Sequence, residues 1–561
     1  NYYEYEMPVK MSEWYQNAAA DVWPEANNII IELDSLKQVK TRRNNILGFS
    51  LLEKYTETDN VDNTRNISVI GNPNLQNLKT IMIGVRNPKK DDKYNQWRTD
   101  DGEEKCAEIW VNELRLTDFN ESGGWATIGR VSANMADFAD ISLSGNYATP
   151  GFGSIEKRVS ERAQEYVYGV DASTTVQLGK FFGDKSGIKV PMYLGYSNSI
   201  IKPQYDPLLG DLLLVRNELE SKEEWKERLD AIRDVTERKS INFTNVRKER
   251  GQGKNGKPKK AHFYDISNVS LTYSYSELSH RDINTQYDRT LNHLGSVNYG
   301  FNNNPKPWEP FKKIKAFRKS KWLRPIRDFN LYFAPKQLGF RTSMNRTYNE
   351  YEVRNNFGGL TIPQYNKMFN WDRDYNLKYD ITKSLKFDFT AKNRAFVNEP
   401  FGKVDEGAFG YDADSSKTQM LNSIKSFGET MSYGHTANVT FKWPFNKFPL
   451  TDWVTLTTRY SGNYDWTRSP LALENFEVID ENGVTQTRNV GNIIQNSRVV
   501  TWNGKLNMTT LYNKVPAFKK VNKKFSKISK GKNSRLNRGS KASKKPAKGK
   551  EEEKDKIRKT K

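Results

Sequence analysis

Side chains that could do chemistry are scattered along this sequence rather than grouped. Four histidines, His262, His280, His293 and His435, show no HExxH or His/Cys spacing, so they do not indicate a metal site. The single cysteine, Cys106, excludes an internal disulfide and a multi-cysteine zinc site. We find no GxSxG elbow and no Ser/His/Asp order. We therefore expect no catalytic residues, no cofactor and no metal, and we do not expect an enzyme.

Two short patterns resemble ligand sites but favour plainer interpretations. The string GQGKNG at 251–256 matches GxGxxG, yet it lacks the strand before it and the helix after it that a dinucleotide site requires. It indicates a flexible basic loop. The acidic residues Asp91, Asp92, Asp100 and Asp101 could bind calcium, but calcium needs six to eight converging oxygens. We favour a solvated acidic loop.

The composition predicts a mostly folded chain with a basic end. Aromatic residues make up 12% of the 561 residues, whereas disordered chains are poor in aromatics. No run of eighteen apolar residues exists, so we expect no transmembrane helix, although β-barrel strands would escape this criterion. The net charge is +22, and the lysine-rich stretch 513–561 holds much of it. We predict that this stretch is a disordered insertion; nucleic-acid binding is the alternative that we do not favour.

The elements that would position any site are strands of alternating polarity. In WVTLTTRYSGNYDWT, residues 453–467, the even-numbered residues are mostly apolar or aromatic and the odd-numbered residues from Thr455 to Asp465 are polar, which indicates a strand with one apolar and one polar face. We predict that the apolar faces contact lipid, and these residues include Ile141, Leu143, Tyr147, Val170, Val176, Val454, Leu456, Tyr460, Tyr464 and Trp466. We predict that the polar face lines a lumen, with Thr455, Arg459, Asn463 and Asp465.

About twelve such segments follow one another between residues 126 and 512. Most approach the nine to eleven residues of a tilted membrane strand, and aromatic residues stand near their ends, so a transmembrane β-barrel is favoured over a soluble sandwich. The links between segments alternate long and short. Since outer-membrane barrels have long extracellular loops and short periplasmic turns, the segments predict short turns on one side only. An even number of crossings would place both flanking regions in the periplasm.

The flanking regions differ from the strand ladder in composition. Residues 1–125 contain short β-rich runs, NNIIIEL at 27–33, LKTIMIGV at 78–85 and AEIWVNELRL at 107–116, and they predict a soluble β-sandwich or jelly roll. Residues 217–240 predict a charged surface helix within a long loop. The expected fold class is all-β: a soluble domain at 1–125, a section of a very large transmembrane barrel at 126–512, and the basic insertion at 513–561.

Long strings of this sequence resemble one family. NYYEYEMPVKM, the stretch from AEIWVNELRLTDF through NYATPGFGSIEKR, KFPLTDWVTLTTRYSGNYDWT and NIIQNSRVVTWNGKLNMTTLYNKVPAFKKVNKKF are similar to the SprA (Sov) family of gliding-motility and cell-surface proteins of Bacteroidota. The resemblance spans most of residues 1–525. It implies the outer-membrane translocon of the type IX secretion system, a very large barrel that passes folded proteins. It also implies secreted cargo, an outer-membrane shuttle protein and a periplasmic plug as partners.

Three functions remain open at this point. A protein-conducting channel is favoured. A passive large porin or nutrient-receptor barrel would show the same strand pattern, and a structural or adhesive surface protein built from β-sandwiches would share the β-rich composition. Strand length and the alternation of link length disfavour the last of these. We expect an outer-membrane location and no nucleic-acid partner.

Overall fold

The computed structural model describes most of the chain. It covers residues 1–522 apart from 60–61, 88–102, 119–121, 159–160, 218–219, 252–259, 315–316, 318–319, 321, 356–358, 404–411, 471–472, 474–475 and 480–484. The structure is mostly β, so the expected all-β class is confirmed. Of the stretch predicted to be a disordered insertion, 513–561, residues 516–522 are helical, and the part beyond Asn522 lies outside the described residues, as do Asp91, Asp92, Asp100 and Asp101.

Residues 1–77 form a small unit, the N-terminal unit. Its elements are β1 (Tyr2–Glu6), α1 (Ala19–Val22), α2 (Leu33–Asn44), β2 (Tyr55–Thr58) and β3 (Asn66–Ile70), with the strands in the antiparallel order β1-β3-β2. Leu36 and Val39, three residues apart on α2, pack against Ile67 and Val69 of β3. This spacing places both α2 side chains on one helix face, which is why the helix lies on the sheet.

Three predicted strands of this region are wrong. Residues 28–32 form no strand. Leu33 begins a helix, in which the apolar residues Leu33, Leu36 and Val39 repeat at helical spacing. Residues 78–85 and 107–116 pair with no strand among the described residues, and their apolar side chains, such as Met82 at 89% and Leu114 at 71%, are exposed. Strand propensity describes how a residue fits a packed sheet, so it cannot build a strand without a neighbour. The domain boundary near residue 125 stays a prediction.

A single antiparallel sheet dominates the rest of the chain. Its strands are β4 (Ala126–Met135), β5 (Ala139–Ala148), β6 (Glu165–Gln177), β7 (Ile188–Lys189), β8 (Pro191–Pro203), β9 (Asp234–Lys248), β10 (Val269–Arg281), β11 (Thr285–Asn302), β12 (Gln337–Val353), β13 (Gln364–Asp380), β14 (Leu385–Phe396), β15 (Glu429–Lys442), β16 (Val454–Thr467) and, after the separate hairpin β17 (Phe476–Ile479) and β18 (Thr485–Arg488), β19 (Ile493–Leu506). Apart from the two-residue β7, which pairs only with β9, each strand pairs with the next one along the chain. In the described ladder of this sheet, β4 and β19 are the end strands and have a neighbour on one side only.

Helices in or after the links include α3 (Lys222–Ile232), α4 (Arg324–Arg327), α5 (Ala413–Lys425) and α6 (Met508–Tyr512), and residues 516–522 are helical as well. A capping box begins α3, because the Ser221 hydroxyl accepts from the Glu224 amide and the Glu224 carboxylate accepts from the Ser221 amide. The helix predicted for 217–240 is therefore confirmed over Lys222–Ile232. Residues 234–240 of that segment belong to β9.

The predicted strand series is confirmed with three exceptions. β5 has the predicted bounds, 139–148. FNLYFAP at 329–335 is not a strand and contributes only an isolated bridge at Leu331, since Pro335 cannot donate to a ladder. β4 and β9 are strands that the sequence pattern did not reveal.

These differences change the topology. Disregarding β7, thirteen strands cross the sheet, and an odd number of antiparallel strands places the two ends of the series on opposite sides. We call the sheet end where β4 begins the first rim and the end where β19 finishes the second rim. The N-terminal unit leads to the first rim and α6 follows the second. The expectation that both flanking regions lie on one side is wrong.

The predicted alternation of link length is also wrong. The first rim carries the long links 204–233 and 397–428, but also the three-residue link 282–284. The second rim carries short links at 136–138 and 381–384, but also the long link 303–336. The sequence pattern counted a nonexistent strand at 329–335 and missed β9. Each error shifts the strand count by one, so the links between β9 and residue 329 were assigned to the wrong side of the sheet.

Candidate lumenal and membrane faces

The two faces of the sheet differ in chemistry. Pairing along the ladder places directly opposed residues on the same face, so the registers assign every strand residue to a face. One face, which we call the dry face, carries Ile141, Leu143, Tyr147, Val170, Val176, Val454, Leu456, Tyr460, Tyr464 and Trp466. The other, the wet face, carries Thr455, Arg459, Asn463 and Asp465. The structure thus brings each predicted set together on one face, and their contact with lipid or a lumen stays a prediction.

Aromatic side chains pack against each other on the dry face. The Tyr464 ring stacks on His435, with 5.3 Å between centroids, and His435 lies 5.7 Å from Phe389. Near the first rim, Tyr147 contacts both Trp125 and Tyr168 at 5.0 Å. Aromatic rings near strand ends are typical of the girdles at membrane interfaces.

The apolar band of the dry face runs diagonally across the sheet. Ile141 and Leu143 of β5 lie in the same ladder rows as Arg346 and Tyr348 of β12, so rows that are apolar at one side of the sheet are polar or charged in the middle. From β14 to β19 the band reaches further towards the second rim, with Phe441, Leu456 and Trp502. Tilted strands crossing a flat layer produce this shift, because each strand enters the layer at a later position.

Outside the apolar band, part of the dry face is covered by other residues of the chain. Near the first rim, Phe369, Trp371, Ala395 and Val397 form a buried cluster with Met420 and Ile424 of α5. In the same region, Arg346 of β12 pairs in bidentate fashion with Glu399 at 2.8 Å, and the Glu399 side chain is 2% exposed. The described parts of the link, 397–403 and 412–428, therefore fold back over the ends of β13 and β14 at the first rim.

The wet face is polar, and its side chains bond to one another across the strands. Thr436 donates to Asn463 at 2.9 Å, and Asn463 donates to Ser497 at 3.2 Å. Thr347 donates to Asn292 at 2.8 Å, two strands away from Arg394, which pairs with Asp372 at 2.8 Å. On this face a depression of about 530 Å³ is lined mainly by polar and charged residues, including Arg341, Asp372, Asp374, Lys392, Arg394 and Asp465.

The N-terminal unit is attached to the first rim by a buried ion pair. Lys40 of α2 lies 2.7 Å from Asp211 of the link 204–233, and both side chains are buried. The Lys40 ammonium also donates to the carbonyls of Pro73 and Leu209, and the Tyr3 hydroxyl donates to Asp211 at 2.8 Å. Burial lowers the pKa of Lys40, although Asp211 opposes this shift, and burial together with the hydrogen bond to Asp211 raises the pKa of Tyr3.

The same link is held together by a second cluster. Arg228 of α3 pairs with Asp206 at 2.7 Å and Glu220 at 2.9 Å, and its guanidinium lies 4.8 Å from the Trp225 ring centre. Hydrogen bonding to Arg228 lowers the pKa of Glu220. The link is thus a folded platform on which the N-terminal unit rests. Sequence reasoning missed this contact, because Lys40 and Asp211 are distant in sequence and neither belongs to a motif.

The described residues contain few other chemically notable groups. In the described ranges, no cluster of three or more His, Cys, Asp or Glu side chains could hold a metal ion. Cys106 is exposed, and the GQGKNG string lies outside the described residues except for Gly251. His280 lies near Asp234 and Asp282 on the wet face at the first rim, whereas His293 and His435 contact aromatic rings on the dry face. None of the helices in the described part is long and apolar enough to cross a bilayer.

Comparison with known proteins gives one family match. Residues 1–217 match SprA_N, described as a motility related/secretion protein. No curated protein matches the chain.

Similar solved structures include the RagAB peptide importer in the closed-closed state, at 10% identity over 68% of this chain and 42% of that chain, with a TM-score of 0.24. A second structure, the RagAB peptide transporter, shows 8% identity over 68% and 42%, with a TM-score of 0.25. The siderophore receptor PirA from Acinetobacter baumannii shows 11% identity over 69% and 58%, with a TM-score of 0.18. The chain thus spans less than two thirds of these proteins, and the scores are too low to establish a shared fold.

Proposed function

Because the chain belongs, through residues 1–217, to the SprA_N family of motility-related and secretion proteins, we propose that it forms part of the wall of an outer-membrane channel that carries folded proteins to the cell surface. In this proposal the dry face contacts lipid, the wet face lines the lumen, and the channel serves type IX secretion and gliding motility. Secreted proteins are its cargo. An outer-membrane shuttle protein and a periplasmic plug are its proposed partners.

The observation that carries the proposal is the diagonal apolar band. A soluble sandwich buries one face of each sheet against another sheet, whereas here a continuous apolar face spans thirteen strands and shifts in step from strand to strand. A bilayer fits this shape, since transmembrane strands are tilted by about 35–45°. The polar opposite face then requires water, which a lumen supplies.

The face assignment can be tested with spin labels in the full-length protein in lipid. We expect labels at Leu456, Tyr460 and Tyr464 to collide with an apolar quencher, and labels at Thr455, Arg459 and Asn463 to collide with an aqueous one. The alternation follows from the register of β16. Equal accessibility of both sets to the aqueous quencher would refute the membrane assignment.

The function itself can be tested by deletion of the gene. A protein-conducting channel predicts that folded cargo accumulates in the periplasm while small-solute uptake is unchanged. A passive porin or nutrient receptor predicts the reverse. Restoration by the full-length gene is the control, and unchanged export in the deletion strain would reject the proposal.

A further inference from the structure

Charges on the wet face are arranged in opposed pairs. Across β13 and β14 the register places acidic opposite basic residues repeatedly, as in Asp372 with Arg394, Asp374 with Lys392 and Lys378 with Asp388. Arg341 of β12 also faces Asp374. Opposite charges directly across a ladder attract one another and cancel at a distance. The wet face therefore carries many charges without a field of one sign.

Aromatic residues are nearly excluded from the same face. In the thirteen described strands that form the ladder, only Tyr193, Tyr351 and Phe396 have aromatic rings on the wet face, and every other aromatic residue lies on the dry face. Tyr, Trp and Phe, with Arg, are the residues that anchor protein–protein interfaces. Two arginines of this face are already engaged, since Arg394 pairs with Asp372 and Arg459 donates to Asn438 at 3.2 Å.

Several polar side chains on the wet face are also hydrogen-bonded to each other. Ser274 donates to Asn242, and Asn349 donates to Asp288 at 2.7 Å and to Thr290 at 2.9 Å. A group that already has its hydrogen bond gains little by exchanging it for a bond to a passing protein. The opposed charges, the scarcity of aromatic rings and the hydrogen bonds among polar side chains each lower the affinity of this surface for proteins.

We infer that the wet face is a non-adhesive wall, suited to folded proteins of either charge sign and holding none of them. This inference rests on the proposed function. It distinguishes the wall from selective pores, which line their constrictions with rings of one charge, and from ligand receptors, which converge aromatic and polar groups on a pocket. Selection of cargo would then occur elsewhere than on these strands.

The test uses one folded reporter domain that carries the secretion signal of a natural cargo, in an acidic-surface and a basic-surface version. Each version is expressed in cells with the wild-type full-length protein, and its rate of export is measured. We expect the two export rates to agree within roughly twofold, because exposed charge interactions are weak and screened. A tenfold or greater preference for one sign would overturn the inference.

A charge variant makes the test specific. Arg394→Asp places two aspartates opposite each other beside Asp374, and we expect export of the basic reporter to slow by roughly two- to fivefold relative to the acidic one. The double variant D372R/R394D restores an opposed pair and should bring the ratio back. Because the Debye length falls from about 10 Å at 0.1 M to about 3 Å at 1 M, added salt should also reduce the difference. An unchanged ratio in Arg394→Asp would refute the role of charge balance.

An aromatic variant addresses adhesion separately. Ser343→Trp adds an anchor to the wet-face depression, and we expect both reporters to be delayed. Ala437→Trp adds the same ring on the dry face next to Phe389 and serves as the matched control for folding. Equal export in both variants would overturn the inference. If neither reporter depends on the protein at all, the proposed function fails instead.

Discussion

Leu456 and Thr457 are neighbours in sequence and lie on opposite faces of β16. Under the proposed function, Leu456→Arg puts a charge against lipid, which costs about 2–4 kcal/mol near the midplane and less near an interface. Thr457→Arg puts the same charge towards water and should cost much less. Assembly yield and urea resistance of the full-length protein in lipid would measure both. Equal costs for the two variants would contradict the assignment of the faces.

The Lys40–Asp211 pair gives a second residue-scale prediction. Asp211→Ala leaves the buried ammonium of Lys40 without its carboxylate, which should cost about 3–5 kcal/mol and detach the N-terminal unit from the link 204–233. Lys37→Met, which removes a partly exposed partner of Asp34 on the same helix, is the matched control and should cost no more than about 0.5 kcal/mol. Limited proteolysis between residues 71 and 125 reports detachment. Equal protection from proteolysis in both variants would contradict the role of the Lys40–Asp211 ion pair in attaching the N-terminal unit.

Because burial lowers the pKa of Lys40, the same pair also predicts a pH dependence. Between the lowered folded value and the ordinary value of 10.5, the unfolded chain holds a proton that the folded unit lacks, so the free energy of unfolding rises with pH. Tyr3 acts in the opposite direction above its ordinary value of 10.0, since its pKa is raised and the unfolded chain loses the proton first. Hydrogen exchange of α2 in a Tyr3→Phe background isolates the Lys40 effect. A Lys40→Met variant that keeps the same slope would disprove it.

At the scale of elements, strands with a clean alternation were predictable and strands with a mixed one were not. β5 and β16 show apolar or aromatic residues at most positions of one face, and their predicted bounds agree with the structure to within one residue. β9 was not predicted because Glu237 and Lys239 lie on its dry face, at positions outside the apolar band. β4 was not predicted because the small residues Gly129 and Ala133 make its dry face less apolar. Polarity patterns reveal a strand only where its environment is uniform along its length.

The predicted sets of face residues were correct as sets because a period of two follows from strand geometry alone. The contacts of the N-terminal unit were not predictable, because they do not follow from the geometry of any single element. Tyr3, Lys40 and Asp211 meet only because β1, α2 and the long link 204–233, which are distant in sequence, pack against each other. No local periodicity encodes such a meeting.

Unpaired edges provide a prediction for the element scale. β4 and β19 are exposed along their full lengths, and each has an unpaired edge in the described sheet. In lipid, each unpaired backbone group costs several kcal/mol. We therefore expect residues 1–561 expressed alone to aggregate or to need detergent, and light scattering with and without detergent would show this. A monodisperse, protease-resistant pore from these residues alone would contradict the prediction.

For the whole molecule, the odd number of strands fixes a relation between distant parts. The N-terminal unit rests on the first rim and α6 follows the second rim, so the sheet separates them. If the sheet spans the outer membrane, one of the two faces the medium and the other the periplasm. The folded links 204–233 and 397–428 make the first rim the bulkier one, and bulkier links are typical of the extracellular side. We therefore expect the N-terminal unit outside and the chain after α6 inside.

Epitope tags would test this arrangement. A tag after the exposed Leu47 should bind antibody on intact cells, whereas a tag after Lys520 should bind only after the outer membrane is permeabilised. A tag within α3 should behave like the first, since α3 belongs to the link that carries the N-terminal unit. If the two end tags exchanged their behaviour, the barrel would be inverted but the strand count would stand. If both tags bound antibody on intact cells, or both only after permeabilisation, the sheet could not be crossed an odd number of times, and the thirteen-strand topology in the membrane would be refuted.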